Sequence, residues 1–253
     1  MENGKSFKSL VIVGDSFCAK REKQTDWPVH LAKLLKCPVT GNGHSGQSWW
    51  TTRYKLAELD HDKSSTILIV VHTEYLRLPN DHEIPINTGQ LFVDKKQPLN
   101  ELDPWPGVRE IASTFYTSDL FCEKFYQWAQ QAWIKELDAD TEYYAVIHIP
   151  AFDSVDLSSV KNGIFVIPDT NHRSLRALSD HEIGKTNWVG LDPRSNHLTD
   201  SNNVNLAKAL ASIISKLQPG DTGERNFDNL HEWDFNVSGI DVKSFESLDF
   251  KSL

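Results

Sequence analysis

The sequence predicts an α/β fold, a three-layer, doubly wound α/β/α domain built on a parallel sheet of about five strands. Three observations lead there. Compact β-branched runs at Leu10 to Val13, Thr66 to Val71 and Tyr143 to Ile149 have the apolar character of strands buried on both faces. Stretches with helical spacing separate them. Strand and helix alternate along the chain, and right-handed crossovers turn that alternation into a sheet covered on both sides. With 253 residues, 39% of them hydrophobic, the chain can fill one large core.

The elements follow in order. Leu10 to Val13 ends in Gly14-Asp15-Ser16, the pattern of a strand that stops at a loop. Asp26 or Thr25 caps a first helix, with Pro28 in its opening turn and Val29, Leu31, Ala32, Leu34 and Leu35 as its apolar positions. Cys37 to Thr40 reads as a short strand, Gly41 to Gly46 as a polar loop and Ser48 to Leu59 as a helix. Thr66 to Val71 is the most hydrophobic strand and delivers His72, Thr73 and Glu74 to its carboxyl end. A proline-rich insertion follows at about 77–111, holding Pro79, Pro85, Pro98, Pro104 and Pro106. It has no sustained period, as in lids and binding loops.

Ser113 to Leu137 has helical spacing, and Tyr143 to Ile149 and Gly163 to Ile167 are two further strands, each closed by a proline. Thr199 to Leu217 is an amphipathic helix. The domain spans 1–219. The segment 220–253 is too aromatic for disorder, so it is expected to dock on the domain or on a second copy, giving a homo-oligomer through this tail.

Composition excludes several classes. The net charge is -9 with no run of Lys or Arg, which speaks against nucleic acid and for a neutral or cationic substrate. Cys18, Cys37 and Cys122 are widely spaced and odd in number, so they are expected as reduced thiols. No apolar stretch approaches the roughly 18 residues of a membrane span, and the amino terminus does not read as a signal peptide. A cytoplasmic chain away from membranes is the expectation. The Asp-His-Glu triplets at 81–83 and 180–182 do not converge on one ion from an extended loop, so no metal and no cofactor are expected. Trp49, Trp50 and Trp105 lie in polar surroundings, where they either stack on a ligand or pack for their area.

In parallel sheets ligands collect outside the carboxyl ends of the strands, where Gly14-Asp15-Ser16, Gly43 to Gly46 and His72 to Glu74 fall. The segment VIVGDSFCA resembles the first block of the SGNH (GDSL-type) serine hydrolases, whose Gly-Asp-Ser presents a catalytic serine. Gly46, in GNGHSGQS, resembles the glycine whose backbone N–H belongs to that family's oxyanion hole. His197, followed by LTDSNNVNLAKAL, is similar to the last block, where the catalytic histidine precedes the terminal helix.

The resemblance spans residues 10 to 217. It implies a flavodoxin-like sheet and a hydrolase that cleaves an ester or acetyl group, with a small molecule or a glycan as acyl carrier. An alcohol is a weak nucleophile at its own pKa, so Ser16 needs an adjacent imidazole, and His197 is the candidate base.

Two positions depart from the family's pattern. Its orienting acid lies three residues before the histidine, where this chain has Arg194; Asp192, five residues before, is the nearest candidate. Its third block carries an Asn that donates to the oxyanion, where this chain has Glu74 in His72-Thr73-Glu74-Tyr75. A carboxylate about 4 Å from an oxyanion costs roughly 4 kcal/mol at an effective dielectric near 20, and the lost donor costs about 3 kcal/mol more. Either Glu74 turns away and pairs with Arg77, or Thr73 or His72 supplies the donor, or the protein is no ordinary esterase. Asp15 and His44 complete the candidate set, with His148, His172 and His181 as other possible bases. The rival reading is a catalytically degenerate SGNH-like module for binding or assembly. A nucleotide binder ranks last, since no Gly-x-Gly-x-x-Gly or Walker-type loop follows the first strand.

Overall fold

Successive strand residues point to opposite faces of a sheet, and this chain covers both faces. The computed structural model describes residues 7–20, 26–44, 47–75, 77–78, 86–87, 119–183, 195–233 and 235. Its elements run β1 (Ser9–Ala19), α1 (Trp27–Leu35), β2 (Val39–Thr40), α2 (Trp49–Glu58), β3 (Thr66–His72), β4 (Arg77–Leu78), β5 (Ile86–Asn87) and α3 (Asp119–Asp138). Then follow β6 (Ala145–Pro150), β7 (Ile164–Ile167), α4 (Leu175–Ile183), α5 (Asp200–Ser215) and β8 (Gly223–Asn226). The main sheet has six strands in the order β2-β1-β3-β6-β7-β8, and each neighbouring pair is parallel. β4 and β5 form a separate antiparallel pair.

On one face Leu10 and Ile12 of β1, Ile67 and Ile69 of β3 and Ile147 of β6 pack under Trp27 and Leu31 of α1 and Leu206 and Leu210 of α5. On the other, Val11, Val13, Leu68 and Val70 pack under Trp49 and Leu56 of α2 and Trp133 and Leu137 of α3. Full burial of each such side chain stabilises the fold by about 1.5–3 kcal/mol. The β6–β7 connection has no α-helix, and Val155, Leu157 and Val160 cover the sheet there with Ile134 of α3. No helix among the described residues is long and apolar enough to cross a membrane.

Several elements differ from expectation. The sheet has six strands rather than about five because residues 223–226, assigned to the tail, pair with β7 as an edge strand. GERN is half exposed and carries no apolar run, so backbone hydrogen bonding rather than burial defines it. Phe227 and Trp233 beyond it are buried in the core, so this part of the tail belongs to the domain; 236–253 lie outside the described residues. β1 runs on to Ala19 instead of stopping at Gly14. It leaves the register of β3 at Gly14↔Val71 and bridges Gly43 from both Gly14 and Ala19.

Asp26 is the N-cap of α1, but its side chain makes no capping bond; its carbonyl accepts the Val29 and His30 N–H groups. α4 was not expected. Among its described side chains only Leu175 and Leu178 are both apolar and buried, too few for a visible period, while Ser174 Oγ accepts the Ala177 N–H at its start. Of the tryptophans in polar surroundings, Trp49 is buried and Trp50 is 49% exposed, while Trp105 lies outside the described residues.

Candidate active site

Two glycines let the end of β1 cross the 41–44 loop. A Cβ on Gly14 would lie 2.5 Å from the Val71 carbonyl oxygen, and one on Gly43 would overlap the Asp15 carbonyl oxygen. Asp15 is fully buried, and its carboxylate accepts the Phe17 N–H at 3.0 Å, shaping the turn that carries Ser16. Cys18 lies in the same turn. Burial, then the charge of Asp15, pushes its thiol pKa well up, so it stays protonated and is no nucleophile.

The candidate base, His197, comes from a segment distant in sequence. Ser195–His197 forms a single 3-10 turn ahead of α5, with Asn196 at φ 52° and His197 at φ 61°, both left-handed. This puts His197 Nε2 2.6 Å from Ser16 Oγ, within proton-transfer distance for two residues 181 positions apart. The imidazole also packs on the Phe17 ring at 4.6 Å between centroids. Comparison of the chain with protein-family models, curated proteins and solved structures finds no match.

The remaining candidates divide. Thr73 is 1% exposed and lies just beyond β3, at the same end of the sheet as Ser16. Its hydroxyl has no hydrogen-bond partner among the described residues, while its carbonyl accepts from Gln130 Nε2 at 2.7 Å. Glu74 is partly buried beside it, and His44 is partly buried in the loop after Gly43. Gly46, Asp192 and the side chain of Arg77 lie outside the described residues, as does most of the 77–111 insertion.

His72 and His148 are fully withdrawn from solvent. Burial holds His148 down to about 4 against the opposing pull of Asp138, and burial followed by His148 itself lowers His72 well below its usual range. Neither is exposed to act as a base from the surface.

His172 meets the Asp169 carboxylate at 3.2 Å and His181 at 2.8 Å. Residues 180–182 lie on α4, not on an extended loop, and helical residues diverge by about 100° each. Asp180 pairs with Arg176, His181 with His172, and Glu182 with Thr199. Triplet 81–83 lies outside the described residues. From sequence, Glu182 enters only as part of the 180–182 triplet, weighed for metal binding, and Asn203 only as part of the segment after His197; their roles near the histidine loop depend on contacts between distant elements.

A cavity of about 430 Å³ sits at the carboxyl ends of β6 and β7. Phe152 and Phe165 contribute apolar wall, and Asp153, Asp156 and Glu224 outnumber Arg173 among its charged groups. Phe152 packs edge-on against Phe17 at 5.7 Å, so this cavity is one ring away from the ring that holds His197.

Proposed function

We propose that the chain is a serine hydrolase of SGNH type that cleaves an ester or acetyl group through an acyl-enzyme on Ser16. The contact between Ser16 Oγ and His197 Nε2 at 2.6 Å carries this reading. His197 takes the hydroxyl proton as Oγ attacks the carbonyl carbon, and returns it to the departing alkoxide as the carbon–oxygen bond breaks. Water, activated by the same imidazole, then releases the acid and restores the serine. The order β2-β1-β3-β6-β7 supports the family reading, because with the β4–β5 pair set aside it is the 2-1-3-4-5 order of flavodoxin-like sheets, to which β8 adds a sixth strand.

The acyl carrier on this reading is neutral or cationic, a carbohydrate among the candidates. The charge of -9 and the excess of carboxylates at the neighbouring cavity both disfavour an anionic one. Treatment with a fluorophosphonate probe and with p-nitrophenyl acetate tests the proposal. Wild-type protein reacts with both, and Ser16→Ala and His197→Ala lose turnover by about 10³-fold or more. Equal labelling of Ser16→Ala rejects the assignment.

Glu74 favours a second reading, a degenerate module that binds without turnover, since it stands where the resembled family has an oxyanion donor. A folded wild-type protein inert to the probe supports that alternative.

A further inference from the structure

The left-handed backbone at Asn196 and His197 is unfavourable for residues bearing a Cβ, so neighbouring structure must impose it. Two buried polar residues grip the chain immediately after the histidine. Glu182, 2% exposed at the end of α4, accepts the Thr199 N–H through both oxygens at 2.8 and 3.1 Å. It also accepts the Thr199 hydroxyl and, at 2.7 Å, the amide of Asn202.

Asn203, fully buried on α5, donates through Nδ2 to the carbonyls of Leu198 at 3.3 Å and Thr199 at 3.2 Å. Its Oδ1 accepts the Trp27 N–H at 3.1 Å. The Trp27 indole in turn donates to the Phe17 carbonyl at 2.6 Å, one residue from Ser16. A continuous hydrogen-bonded path, buried except at the partly buried Thr199, therefore joins the strand of the serine to the loop of the histidine, through Phe17, Trp27, Asn203, Leu198 and Thr199 to Glu182.

We propose that Glu182 and Asn203 are positioning residues, a buried clamp that fixes the His197 loop against the Ser16 strand and so sets the distance between hydroxyl and imidazole. This rests on the reading of Ser16 and His197 as nucleophile and base. The side-chain chemistry is specific at both points. The three groups gathered on Glu182, an N–H, an O–H and an NH₂, are all donors and all meet Oε1, while Oε2 faces the Thr199 N–H a second time at 3.1 Å; a glutamine would set its own NH₂ donor against that N–H. Asn203 must accept from one N–H and donate to two carbonyls. Only an amide does both, and an aspartate would set negative charge against carbonyl oxygens. Stabilisation of α5 alone would not require the link through Trp27 to the serine strand.

The test compares Glu182→Gln, Asn203→Asp, Thr199→Val and Thr199→Ser in the full chain. Thermal unfolding reports folding, the probe and p-nitrophenyl acetate report reaction, and proton–carbon NMR of the imidazole, assigned with His197→Gln, reports the histidine itself. Folded Glu182→Gln and Thr199→Val are expected to lose tenfold or more in kcat with KM little changed. Their His197 ring resonance should move in the direction seen for Ser16→Ala, and Thr199→Ser should restore both the resonance and kcat. If Glu182→Gln or Asn203→Asp does not fold, the threonine pair decides. His197 resonances unchanged in folded variants overturn the clamp. A wild-type protein inert to the probe overturns the hydrolase reading instead, and the NMR comparison still tests the clamp.

Discussion

The Phe17 ring lies 4.6 Å from the His197 imidazole at an interplanar angle of 39°, and the same residue's carbonyl receives the Trp27 indole N–H. Phe17 thus packs on His197 with its side chain and ties the serine strand to α1 with its backbone. Phe17→Leu keeps the carbonyl and much of the volume. It is expected to cost under about 1.5 kcal/mol in urea unfolding. It should slow labelling of Ser16 by more than that modest loss implies, because the imidazole loses its flat support. Labelling at the wild-type rate in the folded variant would count against this support.

His72 and His148 stack with centroids 5.1 Å apart and planes 6° from parallel, sharing a 2.9 Å hydrogen bond. Both have folded pKa values below the ordinary histidine value, with His148 at about 4. The unfolded chain therefore binds protons first. Stability from this pair is complete above about pH 6.5 and is lost as pH falls from there towards 4, by on the order of 1 kcal/mol per pH unit for each histidine. Urea unfolding across this range should show the slope, and His148→Gln should flatten it relative to wild type. Parallel curves for the two proteins contradict the assignment.

Thr73 has a buried hydroxyl with no hydrogen-bond partner among the described residues, at the end of the sheet that carries Ser16. On the hydrolase reading it is the side-chain donor that Glu74 cannot be. Thr73→Val then lowers kcat by about 10²-fold, the usual cost of an oxyanion donor, while Thr73→Ser retains activity. Glu74→Gln is expected to raise kcat by removing a carboxylate from the neighbourhood of the developing charge. Steady-state kinetics of the three variants check both statements.

Gly43 admits no side chain, because a Cβ would overlap the Asp15 carbonyl oxygen and lie 2.6 Å from Cys18 Sγ. Backbone on one side leaves little to yield. Gly43→Ala should destabilise the chain by about 1–3 kcal/mol or more and displace the turn carrying Ser16. A melting temperature equal to that of the wild type would show that the crossing is looser than described.

Local patterns in the chain specified the alternating architecture, the apolar Ile67 to Val71 run of β3, the helix from Asp200 to Ser215 and the placement of Gly14-Asp15-Ser16 where a core strand leaves its neighbour. Hydrophobic periodicity reports burial, and those elements are the ones defined by burial. β8, the left-handed turn at His197 and the gathering of three donors on Glu182 leave no periodic trace. Their conformations are imposed by partners distant in sequence: β7 for an edge strand without apolar residues, and α4 for the Thr199 backbone. Tertiary structure alone brought Ser16 and His197 to 2.6 Å, because that distance depends on parallel register and on buried hydrogen bonds between elements, neither of which a local pattern encodes.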